Sequence, residues 1–304
     1  MAREKLVARA RTQYTDYLVK EPTELMTFLA AKMPDASRTK LKSLLSKQIV
    51  LVDNVITTQY NHPLQPGMKV QISREKGKNE FHNNLIKLVY EDAYLIVIEK
   101  MPGLLSVATD RQKERTAYHI LSDYVSRRGQ RNCHVHTVHR LDRDTSGLMM
   151  FAKDEKTQQT LRENWHRIVT DRRYVAVVVG EMERDAGTVV SWLTDHKLYV
   201  HSSPTDDGGQ RSVTHYRTIK RAHGYSLVEL QLETGRRNQI RVHMQDLGHP
   251  LAGDGRYGLE ENNPLGRLAL HAFKLCFYHP VTGEEMKFET PYPPTFKSLF
   301  VKRG

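Results

Sequence analysis

The 304-residue sequence predicts an α+β fold in two parts: a small N-terminal α/β domain, then a large domain on a mixed, mainly antiparallel sheet. Three observations carry this expectation. Between residues 174 and 288 the chain offers many short runs rich in Val, Ile, Tyr, Phe and Thr, bounded by turn residues. Helical spacing is confined to a few stretches interleaved with those strands. A polar, glycine-containing segment, Glu75-Lys76-Gly77-Lys78-Asn79-Glu80, separates the whole of this from a compact basic stretch ahead of it.

Residues 1–13, with Arg3, Lys5, Arg9 and Arg11, read as a basic, loosely ordered tail. Residues 14–74 form the small domain. Thr23 opens a short amphipathic helix reaching Leu29, and Ser37 caps a second one. In that second helix Leu41, Leu44 and Leu45 keep core spacing, which leaves Arg38, Lys40, Lys42 and Lys47 to solvent. Strand-like pieces follow at 49–52, 55–57 and 69–72, with Pro66-Gly67 as a turn. Residues 75–84 are the linker, flexible enough for the module to search independently.

The large domain spans 85–304. An apolar strand at 94–99 ends in the turn Lys100-Met101-Pro102-Gly103. A helix over 116–127 places Ala117, Ile120, Leu121 and Tyr124 on one face. Met149 to Ala152 read as a buried strand, and Asp154 caps a helix reaching about Ile168. Strands are expected at 174–179, 188–192, 212–219, 226–232, 268–277 and 285–288. A further helix starts at Asn238 as its cap, carries Ile240, Met244 and Leu247 inward, and stops at Gly248. Arg241 then lies off the core stripe, free to point into a cleft.

Composition bounds the function. No apolar run approaches the roughly 18 residues of a membrane span. The start, Met1-Ala2-Arg3-Glu4-Lys5-Leu6, lacks the apolar core of a signal peptide. The two cysteines, Cys133 and Cys276, make no disulfide framework, so a reduced, cytoplasmic setting is expected. Lys and Arg number 46 against 35 Asp and Glu, a net charge of +11. Residues 1–80 hold 14 Lys and Arg against 8 Asp and Glu, so +6 of that excess sits in about a quarter of the chain. Polyanions are the expected partners of such a surface, and the concentration suggests a dedicated binding module.

The stretch His139-Arg140-Leu141-Asp142-Arg143-Asp144-Thr145-Ser146-Gly147-Leu148 is the densest in reactive groups. It feeds directly into the buried strand, a common way to hold side chains at the edge of a rigid sheet. Read alone it leaves two alternatives: Asp, Ser and Thr satisfying turn backbone, or Asp142 as a nucleophile. Asp142 with Asp144 as a magnesium pair would imply phosphoryl or nuclease chemistry. Cys133, His134, His136 and His139 invite a zinc reading, but no second Cys/His pair stands nearby at finger spacing, and no metal is expected.

Two resemblances narrow these alternatives. Ser37-Arg38, Val50-Leu51-Val52-Asp53-Asn54 and Leu64-Gln65-Pro66-Gly67-Met68-Lys69-Val70 resemble the RNA-binding domain of small-subunit ribosomal protein four, with Gln48-Ile49 where that family has a glycine. This implies that the helix bearing Arg38 and Lys42 contacts RNA phosphates. From about Leu95 to Tyr292 the chain resembles the RluA-type pseudouridine synthases. The resemblance rests on Lys100-Met101-Pro102-Gly103, His139-Arg140-Leu141-Asp142, Thr145-Ser146-Gly147-Leu148, Arg173-Tyr174-Val175-Ala176, Glu233 through His243, and Gly248 through Asp254. It implies isomerisation of uridine to pseudouridine in structured RNA, ribosomal RNA ahead of transfer RNA, without cofactor or metal, by a monomer. It assigns Asp142 as nucleophile, Arg241 as the guanidinium paired with it, and Tyr174 as the ring stacked on uracil that helps remove the proton from carbon five. Ile240 becomes part of the apolar wall, and Arg140 fills the space left by the flipped base. The family's usual His is Asn238 here, and His271 is expected to be structural. The rival reading is a non-catalytic RNA-binding or ribosome-assembly factor on the same fold.

Overall fold

The computed structural model describes residues 14–46, 49–53, 55–73, 81, 83–108, 116–127, 134–196, 199–259 and 261–301. The expected tail, Lys47, Gln48, most of the 75–84 linker and Cys133 lie outside the described residues. The chain divides into two compact units, Met1–Phe81 with Arg127–Gly129, and His82–Ser126 with Gln130–Gly304.

The first unit runs β1 (Tyr14–Leu18), β2 (Thr23–Glu24), α1 (Leu25–Lys32), α2 (Arg38–Ser46), β3 (Val50–Val52), β4 (Val55–Ile56), β5 (Pro63–Leu64) and β6 (Lys69–Ser73). An antiparallel sheet in the order β1-β6-β3-β4 lines up with a core that includes Leu25, Leu29, Leu41, Leu45, Val50, Val70 and Ile72. Ser37 accepts the Lys40 N–H on its hydroxyl at 3.2 Å, so α2 starts where the sequence places its cap. Leu41 and Leu45 are buried, while Arg38, Lys40 and Lys42 are exposed. The first helix begins two residues later than expected, because Thr23 and Glu24 pair with Leu64 and Pro63 as strand.

The second unit runs β7 (Ile86–Glu91), β8 (Leu95–Lys100), α3 (Ala117–Arg127), β9 (His136–Thr137), β10 (Ser146–Ala152), α4 (Glu155–Glu163), α5 (Trp165–Ile168), β11 (Val169–Val179), β12 (Ala186–Asp195), β13 (Val200–Ser203), β14 (Gln210–Ala222), β15 (Tyr225–Leu232), α6 (Gln239–Asp246), β16 (Leu270–Tyr278), β17 (Glu285–Glu289) and α7 (Pro294–Ser298). Its 11-stranded sheet has the order β13-β12-β14-β15-β11-β16-β10-β8-β7, with β17 beside β16 and β9 beside β10. Among the described strands only β10 and β16 pair in parallel, so the mixed, mainly antiparallel sheet is as expected.

β10 is buried at every position, which suits a central strand covered on both faces. Leu148, Met150 and Ala152 alternate into one core with Leu95, Val97, Leu161 and Phe277. Val175, Val177, Leu227, Phe273 and Phe296 build another. The expected single helix from Asp154 to about Ile168 is two. Asp154 caps α4 as read, accepting from the Thr157 N–H at 2.8 Å, but the chain turns at Asn164, with φ −112° and ψ 21°. There the Asn164 amide donates to the Thr160 carbonyl at 3.1 Å, a local bond that competes with continued helix.

Candidate active site

The reactive loop is pinned at both ends. Downstream, Gly147 sits at φ +117° opposite Ala272 of β16. A Cβ there would lie 2.2 Å from the Ala272 carbonyl oxygen, so only glycine permits this approach. The Ser146 hydroxyl meets His271 Nδ1 at 2.8 Å and accepts from Arg267 Nη2 at 2.7 Å. His271 is buried between Ser146 and Thr290, outside the cavity described below. Upstream, Leu141 is buried and exchanges two hydrogen bonds with Ser106: its N–H donates at 3.1 Å and its carbonyl accepts at 2.6 Å.

Lys100 fastens the loop from below. Its ammonium is fully buried and donates to the carbonyls of Met101 (3.1 Å), Leu104 (2.8 Å) and Arg143 (2.9 Å). Burial pushes it down to about 7, opposed by the nearby Asp144 and Asp142 charges. Three carbonyl acceptors take three N–H groups, so the charged form is the one these contacts fit. Between the anchors, Asp142 to Thr145 make a β-turn closed by the Thr145 N–H to the Asp142 carbonyl at 3.2 Å.

Ala272 also pairs with Tyr174 of β11, across its other edge. A β-bulge falls between Arg173 and Tyr174, the kind of irregularity that re-aims a side chain next to a site. Loop and ring therefore converge on one point of β16.

The third contributor is α6. Gln239 donates to the Val213 carbonyl and the Thr214 hydroxyl, both at 3.0 Å. Four residues on, His243 joins Ser191 (3.0 Å) and Thr214 (2.8 Å) through its two ring nitrogens. These two buried side chains lock one face of α6 to β12 and β14 and leave Arg241 to the opposite side.

Asp142, Tyr174, Arg241, Arg140 and Ile240 all line one cavity of about 360 Å3. Arg38 and Lys42 belong to the other unit. Its lining also includes Arg162, Arg172 and Arg236, so five arginines surround a single carboxylate, Asp142. Burial raises the Asp142 pKa; Arg241, Arg140, Lys100 and Arg237 oppose that through space. Among the described residues nothing hydrogen-bonds or ion-pairs with the Asp142 carboxylate. Burial likewise raises Tyr174, which keeps its phenol protonated.

Two expectations require correction. Arg241 does not pair directly with Asp142. Its guanidinium forks onto Asp254, with Nε donating at 2.7 Å and Nη2 at 2.6 Å, and the Asp254 side chain is fully buried. Asn238 is not a side-chain cap. It takes a left-handed conformation (φ 54°) in which Oδ1 accepts from Arg241 Nη1 and Nδ2 donates to the Tyr257 hydroxyl, both at 3.1 Å. Asn tolerates that conformation, and from it the side chain bridges Arg241 and Tyr257.

Sequence reading missed Asp254, Arg162, Arg172, Arg236, Trp165 and Lys100. Asp254 closes the Gly248-to-Asp254 segment, and Arg172 adjoins Arg173-Tyr174, so the signal for both lies in the sequence. Trp165 enters because α4 breaks: its ring lies 5.0 Å from His139 and carries the Arg172 guanidinium at 5.5 Å.

A cationic cleft with one unencumbered carboxylate and an aromatic wall, on a mainly antiparallel sheet, defines an enzyme that works on a polyanion. The chain belongs to the RNA pseudouridylate synthase family, whose model matches residues 94–246. It is 34% identical over 293 residues to ribosomal large subunit pseudouridine synthase D of Escherichia coli (strain K12), covering 89% of this chain and 87% of that protein. It is 33% identical over 277 residues to the uncharacterized RNA pseudouridine synthase YlyB of Bacillus subtilis (strain 168), covering 90% and 91%. The fold is shared with human RNA pseudouridylate synthase domain containing 1, at a TM-score of 0.58 and 22% identity over 72% of this chain and 89% of that one. The protein is thus an RNA pseudouridine synthase.

Proposed function

We propose that the protein isomerises specific uridines of structured RNA, large-subunit ribosomal RNA foremost, with the target base flipped into the cavity and Asp142 as nucleophile. One observation carries this reading: Asp142 is the only carboxylate among the cavity's described lining residues, in the company of five arginines, and its oxygens take no hydrogen bond from the described residues. Such a group is kept near a polyanion and left able to attack. The choice of ribosomal RNA is supported by the E. coli relative, named for the large ribosomal subunit and similar over most of the chain. It is supported also by the small domain, which we read as an RNA-binding module of the ribosomal-protein-four type bearing Arg38 and Lys42.

A stacked, paired uridine hides its reactive atoms, so the base leaves the helix at a cost of a few kcal/mol that phosphate contacts offset. Arg140, exposed at the cavity's edge, takes up the vacated space. Tyr174 stacks on the uracil and Ile240 walls it. The Asp142 carboxylate attacks the anomeric carbon or carbon six, and the bond from sugar to ring nitrogen breaks. The uracil turns within the cavity, carbon five bonds to the sugar, and the bond between Asp142 and the substrate breaks, which frees the carboxylate. The proton on carbon five leaves and the freed nitrogen gains one, so the product is an isomer and neither route consumes a co-substrate.

The test is release of tritium from uridine labelled at carbon five, supplied in ribosomal and transfer RNA separately. Release from ribosomal RNA, lost on Asp142→Ala with the fold retained, is expected. No release from either RNA, or an Asp142→Ala variant as active as wild type, refutes the reading; release from transfer RNA alone refutes the target.

A further inference from the structure

Three hydroxyls frame the reactive loop, and two are engaged. Ser106 bonds with both backbone groups of Leu141, and Ser146 with His271 and Arg267. Thr145 is the exception: it is 2% exposed, and its Oγ1 is buried with no hydrogen-bond partner among the described residues. Buried hydroxyls are nearly always satisfied, and one left alone is costly. Nor can the residue shift to find a partner. Its N–H is tied to Asp142, and the next two residues are fixed by the Ser146 contacts and by Gly147 against Ala272.

Three residues earlier on the same turn stands the complementary orphan. The Asp142 carboxylate can accept several hydrogen bonds and receives none from the described residues. Residues one and four of a tight turn are neighbours, and Asp, Ser and Thr side chains bond locally across such turns. The Thr145 oxygen is buried, and Thr145 lines the cavity together with Asp142, three residues before it on the same turn.

We propose that Thr145 is the positioning residue of the nucleophile: its hydroxyl donates to the Asp142 carboxylate oxygen that does not attack. This rests on Asp142 being the nucleophile. The bond forms as the carboxylate swings into the attacking orientation. It holds one oxygen, aims the other at the substrate, and favours the ionised form, since a donor to a carboxylate stabilises its charge. No covalent step is added.

The experiment compares Thr145→Val and Thr145→Ser with wild type, using the RNA in which wild type releases tritium. Val keeps the shape and removes the hydroxyl; Ser keeps the hydroxyl. Thr145→Val is expected to lower kcat about ten- to a hundredfold, the loss of one charge-assisted hydrogen bond, with KM unchanged. Its melting temperature should equal or exceed that of wild type, because an unsatisfied hydroxyl is gone. The acid limb of kcat should move to higher pH, and Thr145→Ser should restore both. The charged and titratable groups facing Asp142 are Arg140 on its own loop, Lys100 at the end of β8, Tyr174 on β11, and Arg237 and Arg241 at the start of α6; none is altered. Wild-type kcat in Thr145→Val, or a lowered kcat with the acid limb in place, overturns the proposal. If Thr145→Val does not fold, Thr145→Ala takes its place in the same measurements. Inactive wild type would instead sink the reading of the site itself.

Discussion

Asp142 is held between two opposing forces, and their balance is measurable. Burial disfavours the carboxylate; the charges of Arg241, Arg140, Lys100 and Arg237 favour it; burial wins, and the pKa lies above the ordinary 3.8. If Asp142 is the nucleophile, attack requires the ionised form, and activity rises with pH through that raised value. The acid limb of kcat should therefore lie above the usual carboxylate range, and Arg140→Gln, which removes an opposing charge, should push it higher still. Arg140 is exposed and makes no described ion pair, so its melting temperature should barely change. A limb at or below 3.8 in wild type, read from single-turnover rates across pH, would contradict this. At this scale the sequence was readable where partners are local: Asp142, Arg140 and Thr145 share one loop. It was unreadable where partners are distant. Arg241 finds Asp254 thirteen residues on, and Asn238 finds Tyr257 nineteen residues on. Lys100 reads in sequence as the first residue of a turn, and only the folding of two loops around it reveals a buried ammonium.

The site depends on one strand junction more than on any single element. Ala272 of β16 pairs with Gly147 on one side and Tyr174 on the other, so a shift in β10 is felt by loop and ring together. Gly147→Ala is the substitution that tests this. Its Cβ would meet the Ala272 backbone at 2.2 Å in a conformation, φ +117°, that side chains rarely adopt. The expected cost is above about 3 kcal/mol, combining backbone strain and overpacking, with tritium release falling as well. Gly103→Ala is the control: φ is +83° but nothing lies within 4 Å, so about 1–2 kcal/mol is expected from the left-handed backbone alone. Equal melting temperatures for the two variants would show that the close approach is not what fixes the loop. Strand periodicity made the sheet legible, but the ends of strands were hidden by charge. β11 is expected from Tyr174 and begins at Val169; there Asp171 pairs with Arg173 on its own strand at 2.9 Å and with Lys274 across the β11–β16 ladder at 3.1 Å. β1 was missed because its pairing with β6 joins residues more than fifty positions apart, beyond any local pattern.

Charge is the property of the whole molecule that composition exposes and the structure then distributes. The excess of +11 is not spread evenly: five arginines line the cavity, and α2 of the small unit exposes Arg38, Lys40 and Lys42. These two sets should behave differently toward RNA. Each side chain that neutralises a phosphate releases counterions, so log K falls against log salt with a slope of roughly 0.7–0.9 per contact. If α2 is a phosphate-binding surface, Arg38→Gln with Lys42→Gln should make that slope shallower by up to about 1.4–1.8, and weaken binding to matched and unmatched RNA alike, because phosphates carry no sequence. The loss should appear in KM. Asp142→Asn should do the reverse: turnover disappears, while RNA is held at least as tightly, since a negative charge has left a cationic cleft. The measurement is binding of ribosomal RNA fragments over a range of potassium concentrations, with tritium release run alongside. An unchanged slope in the Arg38/Lys42 double variant would remove the small domain from RNA recognition, and with it one of the two supports for a ribosomal target.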